Sequence, residues 1–461
     1  MAFGDRVRLL LLGILSATGF AVLFSWSALN AAQGRSGALG QVALAMTNYP
    51  SLVGDAAAEA MARISGKEDY KHVSVPRPDL DSEGLAPLPS AAGEEVPGLL
   101  FEGDVAAADR GWRVLGGAFA LAEGVENAAV LVDPDFTIRR VWRLNENAIG
   151  DAAAESDRKI VHGLQITRGG HLVLAFDHGA SLQRIDACGR TEWVRRGIYH
   201  HAVTLDPDAE ALWSLRQADA GATGYAPEKE AFVRHDLATG AELARITVGD
   251  VIEANPDSGL LTIGARDAAE VWSNTMDRVV DWSADPFHFN DIDPLPAALA
   301  DAFPDFAAGD LLVSARTVNS VFVLDPATLE IKWHLTGETH RQHDPDWWPD
   351  GRIAIYDNRK GAGPSRILAV DPRTGQQQTV VEGADHDFYS RIRGKHMRTA
   401  RGHLAIASPQ QGRAFELSDD GVVAQFHNLG PEGSGVNLAL TEFLFIPEDG
   451  IDLEEEPCES S

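Results

Sequence analysis

The sequence predicts an all-β fold, a six-bladed β-propeller preceded by an N-terminal transmembrane helix and a short helical and linker segment. Two repeated patterns predict it. A short turn between two apolar runs occurs six times, and a histidine followed four places later by an apolar residue occurs five times. Because a radial repeat brings equivalent points together in space, residues far apart in the chain can line one pocket.

The six turns set the period of the repeat. Asp-Pro and Asp-x-x-Gly sequences favour tight reversals, because proline fixes φ and the aspartate side chain bonds the backbone two residues on. By subtraction of positions, the turns are separated by 53, 50, 89, 46 and 47 residues. Four of these intervals fit four-stranded blades of about 40–50 residues. The turns lie at Asp133-Pro134, Asp186-Ala187, Asp236-Leu237, Asp325-Pro326, Asp371-Pro372 and Ser418-Asp419.

The propeller is predicted over residues 100–447. Each turn is expected to join the two outer strands of a blade. The long interval requires an insertion, for which 249–286 and 293–309 are candidates. The apolar run 443–446 is a candidate for the strand that closes the ring. A β-sandwich, or two unrelated β domains, is the alternative, but the histidine, turn and strands recur in one fixed order.

The segments outside the propeller are predicted from composition. Residues 1–35 are expected to form a membrane anchor, because 9–29 carry no charge, are long enough to span a bilayer and follow two arginines. A cleavable signal peptide is the alternative. Residues 36–99 are predicted to form a short helix and a Pro-rich linker, and 448–461 an acidic tail. Either form of the N-terminus places the propeller outside the cytoplasm.

The formal net charge of −29 limits the classes of partner that the protein can bind. A nucleic-acid-binding protein needs a basic surface to neutralise phosphates, so nucleic acid is not expected as a partner. Any site for a small anion has to be locally positive. The two cysteines, Cys188 and Cys458, leave open a disulfide in an oxidising compartment or two free thiols.

The repeated histidines are the candidate site residues. The first strand of each blade lines the central channel, so histidines at equivalent points converge near the axis. In the second blade of the series, His201 rather than His200 keeps the apolar residue four places on, so His200 is expected to face the blade or a neighbour. The five histidines in register are His162, His201, His288, His343 and His396.

Polar residues end several of the predicted second strands, among them Arg216, Arg316 and Asn358. An arginine offers a fixed fork of donors that matches sulfate, phosphate or carboxylate. Because His288, Arg316 and His343 come from two consecutive blades, they are the most plausible contiguous set.

Four short motifs follow one another in this region: His288-x-Asn290, Ser314-x-Arg316, Gln342-His343 and Asp357-Asn358. Their order resembles the arylsulfotransferase (aryl-sulfate sulfotransferase) family, with a similarity over roughly 160–420. Members of that family are bacterial periplasmic six-bladed propellers. Together with the anchor predicted at 1–35, the resemblance implies a single-pass protein of the inner membrane whose propeller faces the periplasm.

The resemblance implies transfer of a sulfuryl group from an aryl sulfate donor to a phenolic acceptor through a sulfated histidine. It implies that His343 is the nucleophile, that His288 and Arg316 hold the sulfate oxygens, and that His201 is a further pocket histidine. A neutral imidazole is nucleophilic near neutral pH, and a neighbouring histidine can protonate the departing phenolate. The other expected substrate-binding residues are His162, His396, Arg216, Asn290 and Asn358.

Two other functions are open. Converging imidazoles suit copper or zinc, but arginines among them argue against a cation pocket, so neither a metal nor another cofactor is expected. The second alternative is that the propeller is a non-catalytic docking subunit of a membrane complex. In that case the anchor and a predicted helix at 40–66 contact a membrane-protein partner.

Overall fold

A computed structural model describes residues 74–76, 84–145, 160–177, 179–217, 226–263, 265–266, 281–282, 285–453 and 458. Thirty strands, one short α-helix and six 3-10 turns occur in these residues. The strands are β1 (Ser74–Pro76), β2 (Ala86–Pro87), β3 (Leu99–Gly103), β4 (Gly111–Leu121), β5 (Gly124–Val132), β6 (Ile138–Arg143), β7 (Ile160–Ile166), β8 (Leu172–Asp177), β9 (Ser181–Ile185), β10 (Thr191–Arg196), β11 (Ile198–Asp206), β12 (Ala211–Gln217), β13 (Ala231–Asp236), β14 (Glu242–Thr247), β15 (Ala265–Arg266), β16 (Asp281–Trp282), β17 (Phe289–Pro294), β18 (Leu311–Ala315), β19 (Ser320–Leu324), β20 (Ile331–Thr336), β21 (His343–Trp347), β22 (Ile353–Asp357), β23 (Arg366–Val370), β24 (Gln377–Glu382), β25 (Lys395–Arg398), β26 (Leu404–Ser408), β27 (Arg413–Ser418), β28 (Gly421–Asn428), β29 (Val436–Leu438) and β30 (Leu440–Pro447). The helix is α1 (Val248–Ala254), and the 3-10 turns are Pro227–Lys229, Leu260–Thr262, Ala297–Ala302, Arg316–Val318, Gly383–Asp385 and Pro409–Gln411.

Six antiparallel sheets form the blades of a closed ring, which confirms the predicted six-bladed all-β propeller. From the inner to the outer strand, blade 1 is β30-β4-β5-β6, blade 2 is β7-β8-β9-β10, blade 3 is β11-β12-β13-β14, blade 4 is β17-β18-β19-β20, blade 5 is β21-β22-β23-β24, and blade 6 is β25-β26-β27-β28 with β3 and β2 at its edge. The six inner strands contact one another in a cycle, and the last, β30, returns to β7. They line the central channel.

The ring closes in blade 1, where β30 pairs with β4 along its length, as expected for the run 443–446. Phe443 of β30 is buried, and its ring centre lies 5.8 Å from that of Phe426 in blade 6. Arg113 of β4 donates to Glu416 of β27 at 2.7 Å, and both side chains are fully buried. Apolar packing and one buried ion pair therefore join the first blade to the last.

The predicted turns join the third and fourth strands of the blades, as expected. Asp325 shows the local cause: its Oδ1 accepts from the backbone N–H groups of Ala327 and Thr328 at 2.8 and 3.2 Å. This bonding satisfies the N–H groups that a tight reversal leaves free. Turn aspartates of four other blades bond the backbone in the same way: Asp133, Asp186, Asp236 and Asp371.

The inner strands of five blades carry a feature that the sequence did not reveal, a shift of pairing register. Such β-bulges interrupt β7, β11, β17, β21 and β30. The backbone is left-handed at His201 (φ 61°), His288 (φ 48°) and Asp344 (φ 48°). A bulge places two residues against one and bends the strand, so it re-aims the side chains beside it.

Two insertions and the segments flanking the ring complete the fold. The predicted insertions contain α1 and the turn Ala297–Ala302, and α1 begins with a capping box in which Thr247 and Asp250 bond each other's backbone. Parts of the predicted linker pair with the propeller, because β2 extends blade 6 and β1 pairs with β29. Extended backbone beside an open strand edge satisfies its polar groups by pairing.

The two cysteines, Cys188 and Cys458, form a disulfide that ties the tail to blade 2, which settles the alternative left open by the sequence. The predicted anchor at 9–29 and the predicted helix at 40–66 lie outside the described residues. Within the described part of the chain, no helix has the length and apolar character needed to cross a bilayer.

Candidate active site

Imidazoles from four blades meet at the face of the ring where the inner strands begin. The ring centre of His201 lies 4.6 Å from that of His162, 4.9 Å from that of His288 and 6.2 Å from that of His343. His200 was expected to face away, yet its ring centre lies 4.8 Å from that of His201. The bulge in β11 explains the difference, because it breaks the strict alternation of side chains along the strand. We call these five residues the imidazole cluster.

The hydrogen bonds of His343 determine which ring nitrogen is free to react. The amide nitrogen of Asn358 donates to the carbonyls of Ser390 and Arg393 at 2.8 and 2.6 Å, so its Oδ1 faces the imidazole. That oxygen accepts from Nδ1 of His343 at 2.6 Å. The proton is therefore on Nδ1, and Nε2 carries the lone pair. The backbone N–H of Arg393 donates to this Nε2 at 3.1 Å.

A carboxylate and two imidazoles form a chain across blades 3 and 4. Asp285 accepts a hydrogen bond from Nδ1 of His288, whose Nε2 lies 2.8 Å from Nε2 of His201. One of these two Nε2 atoms therefore donates to the other. Burial raises the pKa of Asp285, but the hydrogen bond and charge of His288 outweigh it and lower that pKa. The chain can hold or move a proton at the cluster.

His162 is held from the closing blade. Its Nδ1 lies 3.1 Å from Oε1 of Glu442, and the same oxygen accepts from the N–H of Gly163 at 2.9 Å. The Nε2 of His162 is buried without a hydrogen-bond partner among the described residues. Blade 1 thus orients an imidazole of blade 2, and leaves one ring nitrogen available.

Arg316 supplies positive charge beside the cluster. It follows β18 and begins a 3-10 turn, and its buried Nε has no hydrogen-bond partner within the described residues. Burial lowers its pKa from 12.5, and the charges of Arg341 and Arg393 act in the same direction. Arg393 itself pairs with Asp177 across the ring at 2.7 Å. A protein of net charge −29 is therefore locally positive here, as an anion site requires.

Burial favours the neutral form of three histidines in the cluster, His200, His201 and His343. It lowers the pKa of His200 to about 3, helped by the charge of His288. It lowers the pKa of His201 well below 6.5, with the neighbouring histidines as further causes. Burial also lowers the pKa of His343 well below 6.5, and the positive charge of Arg316 lowers it further. Neutral imidazoles at physiological pH are nucleophiles and hydrogen-bond partners rather than cations.

Three other predicted site residues lie apart from the cluster. The guanidinium of Arg216 lies 5.9 Å from the ring centre of Tyr199 and makes no hydrogen bond with a cluster histidine in the described residues. Asn290 donates to the carbonyl of Gln342 at 2.8 Å, so it joins two inner strands. His396 is the second residue of β25, and its Nδ1 lies 3.0 Å from Oδ2 of Asp344. Asn358, by contrast, contacts His343 directly.

Aspartates line the channel beyond the cluster. Lys395 lies 2.7 Å from Oδ1 of Asp344 and 3.3 Å from Oδ1 of Asp291. Burial, together with neighbouring carboxylates, raises the pKa values of Asp293 and Asp346 well above 3.8. We call Asp291, Asp293, Asp344, Asp346, Lys395 and His396 the channel cluster. The channel thus changes from positively charged beside the imidazoles to acidic beyond them.

The sequence missed Asp285, His200, Arg393 and Asp177. Asp177 had a usable signal, since it ends the second strand β8 just as Arg216 and Arg316 end or follow theirs. The other three residues had no such signal in the sequence. Arg393 precedes an inner strand in a loop, and Asp285 and His200 reach the cluster only through the folded backbone around the bulges.

Comparison with known proteins follows this geometry. The sequence profile described as arylsulfotransferase (ASST) matches residues 164–428. No curated protein matches the chain significantly. Among solved structures, the chain is similar to a protein of unknown function from Bacteroides caccae, with 10% identity, a TM-score of 0.47 and coverage of 73% of this chain and 99% of that one. It is also similar to the β-propeller domain of Myceliophteria thermophila Cps50 (Swd1), with 12% identity, a TM-score of 0.40 and coverage of 73% and 98%.

The profile covers more than half of the chain and includes His201, His288, Arg316 and His343. The six blades and the imidazole cluster are what the sequence resemblance led us to expect. This chain belongs to the arylsulfotransferase family.

Proposed function

We propose that this protein transfers a sulfuryl group from an aryl sulfate to a phenol through Nε2 of His343. The observation that carries the proposal is the convergence of imidazoles from four blades beside the guanidinium of Arg316. Family membership supports the same reaction class. A buried, neutral imidazole whose Nδ1 proton is fixed by Asn358 has its nucleophilic nitrogen defined in advance.

In the first half of the reaction, Nε2 of His343 forms a bond to sulfur while the bond from sulfur to the aryl oxygen breaks. The departing phenolate takes a proton from the pair of His201 and His288, which starts with one extra proton and a positive charge balanced by Asp285. In the second half, the acceptor phenol attacks sulfur, its proton returns to that pair, and the N–S electron pair returns to Nε2. Asp285 stabilises a proton on His288 throughout.

Arg316 and the neighbouring cations bind the sulfate oxygens. A guanidinium donates charge-assisted hydrogen bonds, and such donors are most effective where water is excluded. The free, buried Nε of Arg316 is suited to this role. The backbone N–H of Arg393 donates a hydrogen bond to Nε2 of His343, the nitrogen that attacks sulfur. The loop that carries Arg393 therefore has to release this hydrogen bond before sulfur can approach.

The test is turnover of a chromogenic aryl sulfate with a phenol as acceptor. His343→Asn is expected to lower kcat by at least about 10³-fold, because the covalent route is lost. The matched control is His334→Asn, an exposed histidine on β20, which should retain wild-type turnover. Mass spectrometry after donor alone should find one sulfuryl group on the wild type and none on His343→Asn.

Two results would reject the proposal. Equal turnover by the two variants would remove His343 as nucleophile. Absence of both turnover and label in the wild type would favour the docking-subunit function, which the sequence had left open.

The predicted membrane anchor belongs to the same proposal. Residues 9–29 are uncharged and long enough to span a bilayer, and disulfides such as Cys188–Cys458 persist in oxidising compartments. We therefore place the propeller on the periplasmic side of the inner membrane. Carbonate-washed membranes should retain the full chain and release a variant lacking residues 1–35. Recovery of the full chain in the wash would contradict anchoring.

A further inference from the structure

The channel cluster contains a second arrangement that the proposed reaction does not use. It involves three inner strands, β17, β21 and β25, and it contains four aspartates against one lysine. Lys395 is the only cation paired with these aspartates in the described residues apart from the imidazole of His396. Buried carboxylates are normally paired with cations or bind metals. The cluster therefore has more carboxyl groups than its own cations can pair with.

The decisive side chain is His396, which is fully buried. Its Nδ1 lies 3.0 Å from Oδ2 of Asp344, and the carboxylate accepts that ring proton. Its Nε2 then carries a lone pair, and it has no hydrogen-bond partner among the described residues. A histidine whose Nδ1–H is held by a carboxylate, with Nε2 free, is the arrangement found at most metal-binding histidines.

The distance from this Nε2 to the nearest carboxylate fits two ligands of one ion. Oδ2 of Asp346 lies 3.6 Å from Nε2 of His396. That separation is too long for a hydrogen bond. Ligands about 2.0–2.1 Å from a tetrahedral zinc ion lie about 3.3 Å apart, so a small movement seats an ion between them. Asp346 is 26% exposed, which leaves a path from the channel.

The other aspartates of the channel cluster have different contacts. Asp344 has both oxygens engaged, Oδ1 by Lys395 and Oδ2 by the backbone N–H and ring of His396. It therefore orients the histidine rather than binding the ion. Asp293 has no ion-pair partner among the described residues, and its charge acts on Asp346 from the neighbouring strand.

We propose that Nε2 of His396 and the carboxylate of Asp346 bind a divalent transition-metal ion, with Asp344 as the positioning residue. Mixed nitrogen and carboxylate donors suit Zn²⁺ better than the all-oxygen sites of Ca²⁺ or Mg²⁺. The site differs from the imidazole cluster and does not depend on the sulfuryl-transfer proposal. It joins the inner strands of blades 5 and 6.

A comparable group elsewhere in the ring serves as a control. Asp109, His403 and Glu416 also lie close together. There, however, Nδ1 of His403 contacts Glu416 at 2.9 Å, and Glu416 is already paired with Arg113. Its charges are neutralised by the protein, so no ion is expected in that group.

The test uses the full chain, stripped with a chelator and dialysed, and then titrated with Zn²⁺. The wild type is expected to bind one Zn²⁺ per chain and to rise in Tm with added Zn²⁺. His396→Gln and Asp346→Asn should lose the bound ion, whereas Asp344→Asn should bind about 10–100-fold more weakly. His403→Gln and His343→Asn should bind as the wild type does.

Two results would overturn the proposal. One is a wild type that binds no more Zn²⁺ than His396→Gln does, which would mean that protonated carboxylates and Lys395 stabilise the cluster without a metal. The other is equal loss of Zn²⁺ from His403→Gln and His396→Gln. If His396→Gln does not fold, Asp346→Asn keeps the comparison, because that side chain is partly exposed and nearly unchanged in shape. Retention of Zn²⁺ by the His343 variant separates this site from the reaction centre.

Discussion

His343 is buried beside a guanidinium, and both conditions favour its uncharged form. Burial lowers its pKa well below 6.5, and the charge of Arg316 lowers it further. A lowered pKa means that the ring stays neutral, and hence nucleophilic, as the pH falls through 6.5. We therefore expect kcat/KM for an aryl sulfate to show no acidic limb near pH 6.5 and to decline only at clearly lower pH. A pH–rate profile with a limb at about 6.5 that Arg316→Gln leaves in place would contradict this.

The lowered pKa of His200 is expected to make the free energy of unfolding depend on pH. Its pKa is about 3 in the folded chain and 6.5 in an exposed histidine. The unfolded chain therefore binds a proton first as the pH falls. The stability that this neutral histidine provides is complete above about pH 6.5 and is lost toward pH 3, at about 1.4 kcal/mol per pH unit.

The measurement is the free energy of unfolding of the wild type and of His200→Gln between about pH 7 and pH 4. The wild type should lose stability more steeply than the variant. His334→Gln, which changes an exposed histidine, should follow the wild type. Parallel curves for the wild type and His200→Gln would show that His200 does not titrate between these limits.

At the scale of single elements, the bulges of the inner strands determine the site. The sequence predicted which histidines recur, because their spacing from the next apolar residue is a local property. It did not predict the bulges, because a place where two residues oppose one depends on the partner strand. The orientation of His200 was wrongly predicted for this reason.

Gly163 tests the bulge of β7 directly. Its φ is 108°, and an added Cβ would lie 2.0 Å from the carbonyl oxygen of His201. Gly163→Ala is expected to destabilise the protein by about 2–6 kcal/mol, from backbone strain and from overpacking against blade 3. Gly375→Ala, also at positive φ but in open space, should cost about 1 kcal/mol. Denaturant unfolding gives both values, and equal values would remove the contact with His201 as a cause.

At the scale of the whole molecule, sequence reasoning succeeded for the ring. The Asp turns are local signals that mark each blade, and the apolar run 443–446 had no partner other than the first blade. The proton chain from Asp285 and the loop bond from Arg393 could not be predicted, because they join residues from different blades through irregular backbone. Blade count and site location were therefore predictable, whereas the polar network was not.

The buried pair of Arg113 and Glu416 tests how the ring is held closed. Glu416→Gln leaves Arg113 charged and buried without its partner, so we expect a loss of about 3–5 kcal/mol of stability. Glu448→Gln breaks an exposed pair with Arg110 and should leave stability unchanged within error. The free energy of unfolding of the two variants is the measurement. Comparable losses would show that the burial of the pair is irrelevant.

Joining β30 to β4 also has a consequence for biosynthesis. The ribosome completes β4, β5 and β6 at residue 143, which is 297 residues before β30 begins at residue 440, so these three strands of blade 1 emerge without the strand that covers their inner edge. An uncovered edge of this kind can pair with other chains. Until residue 447 has left the exit tunnel, chaperones therefore have to protect this strand edge, or synthesis and ring closure have to be fast.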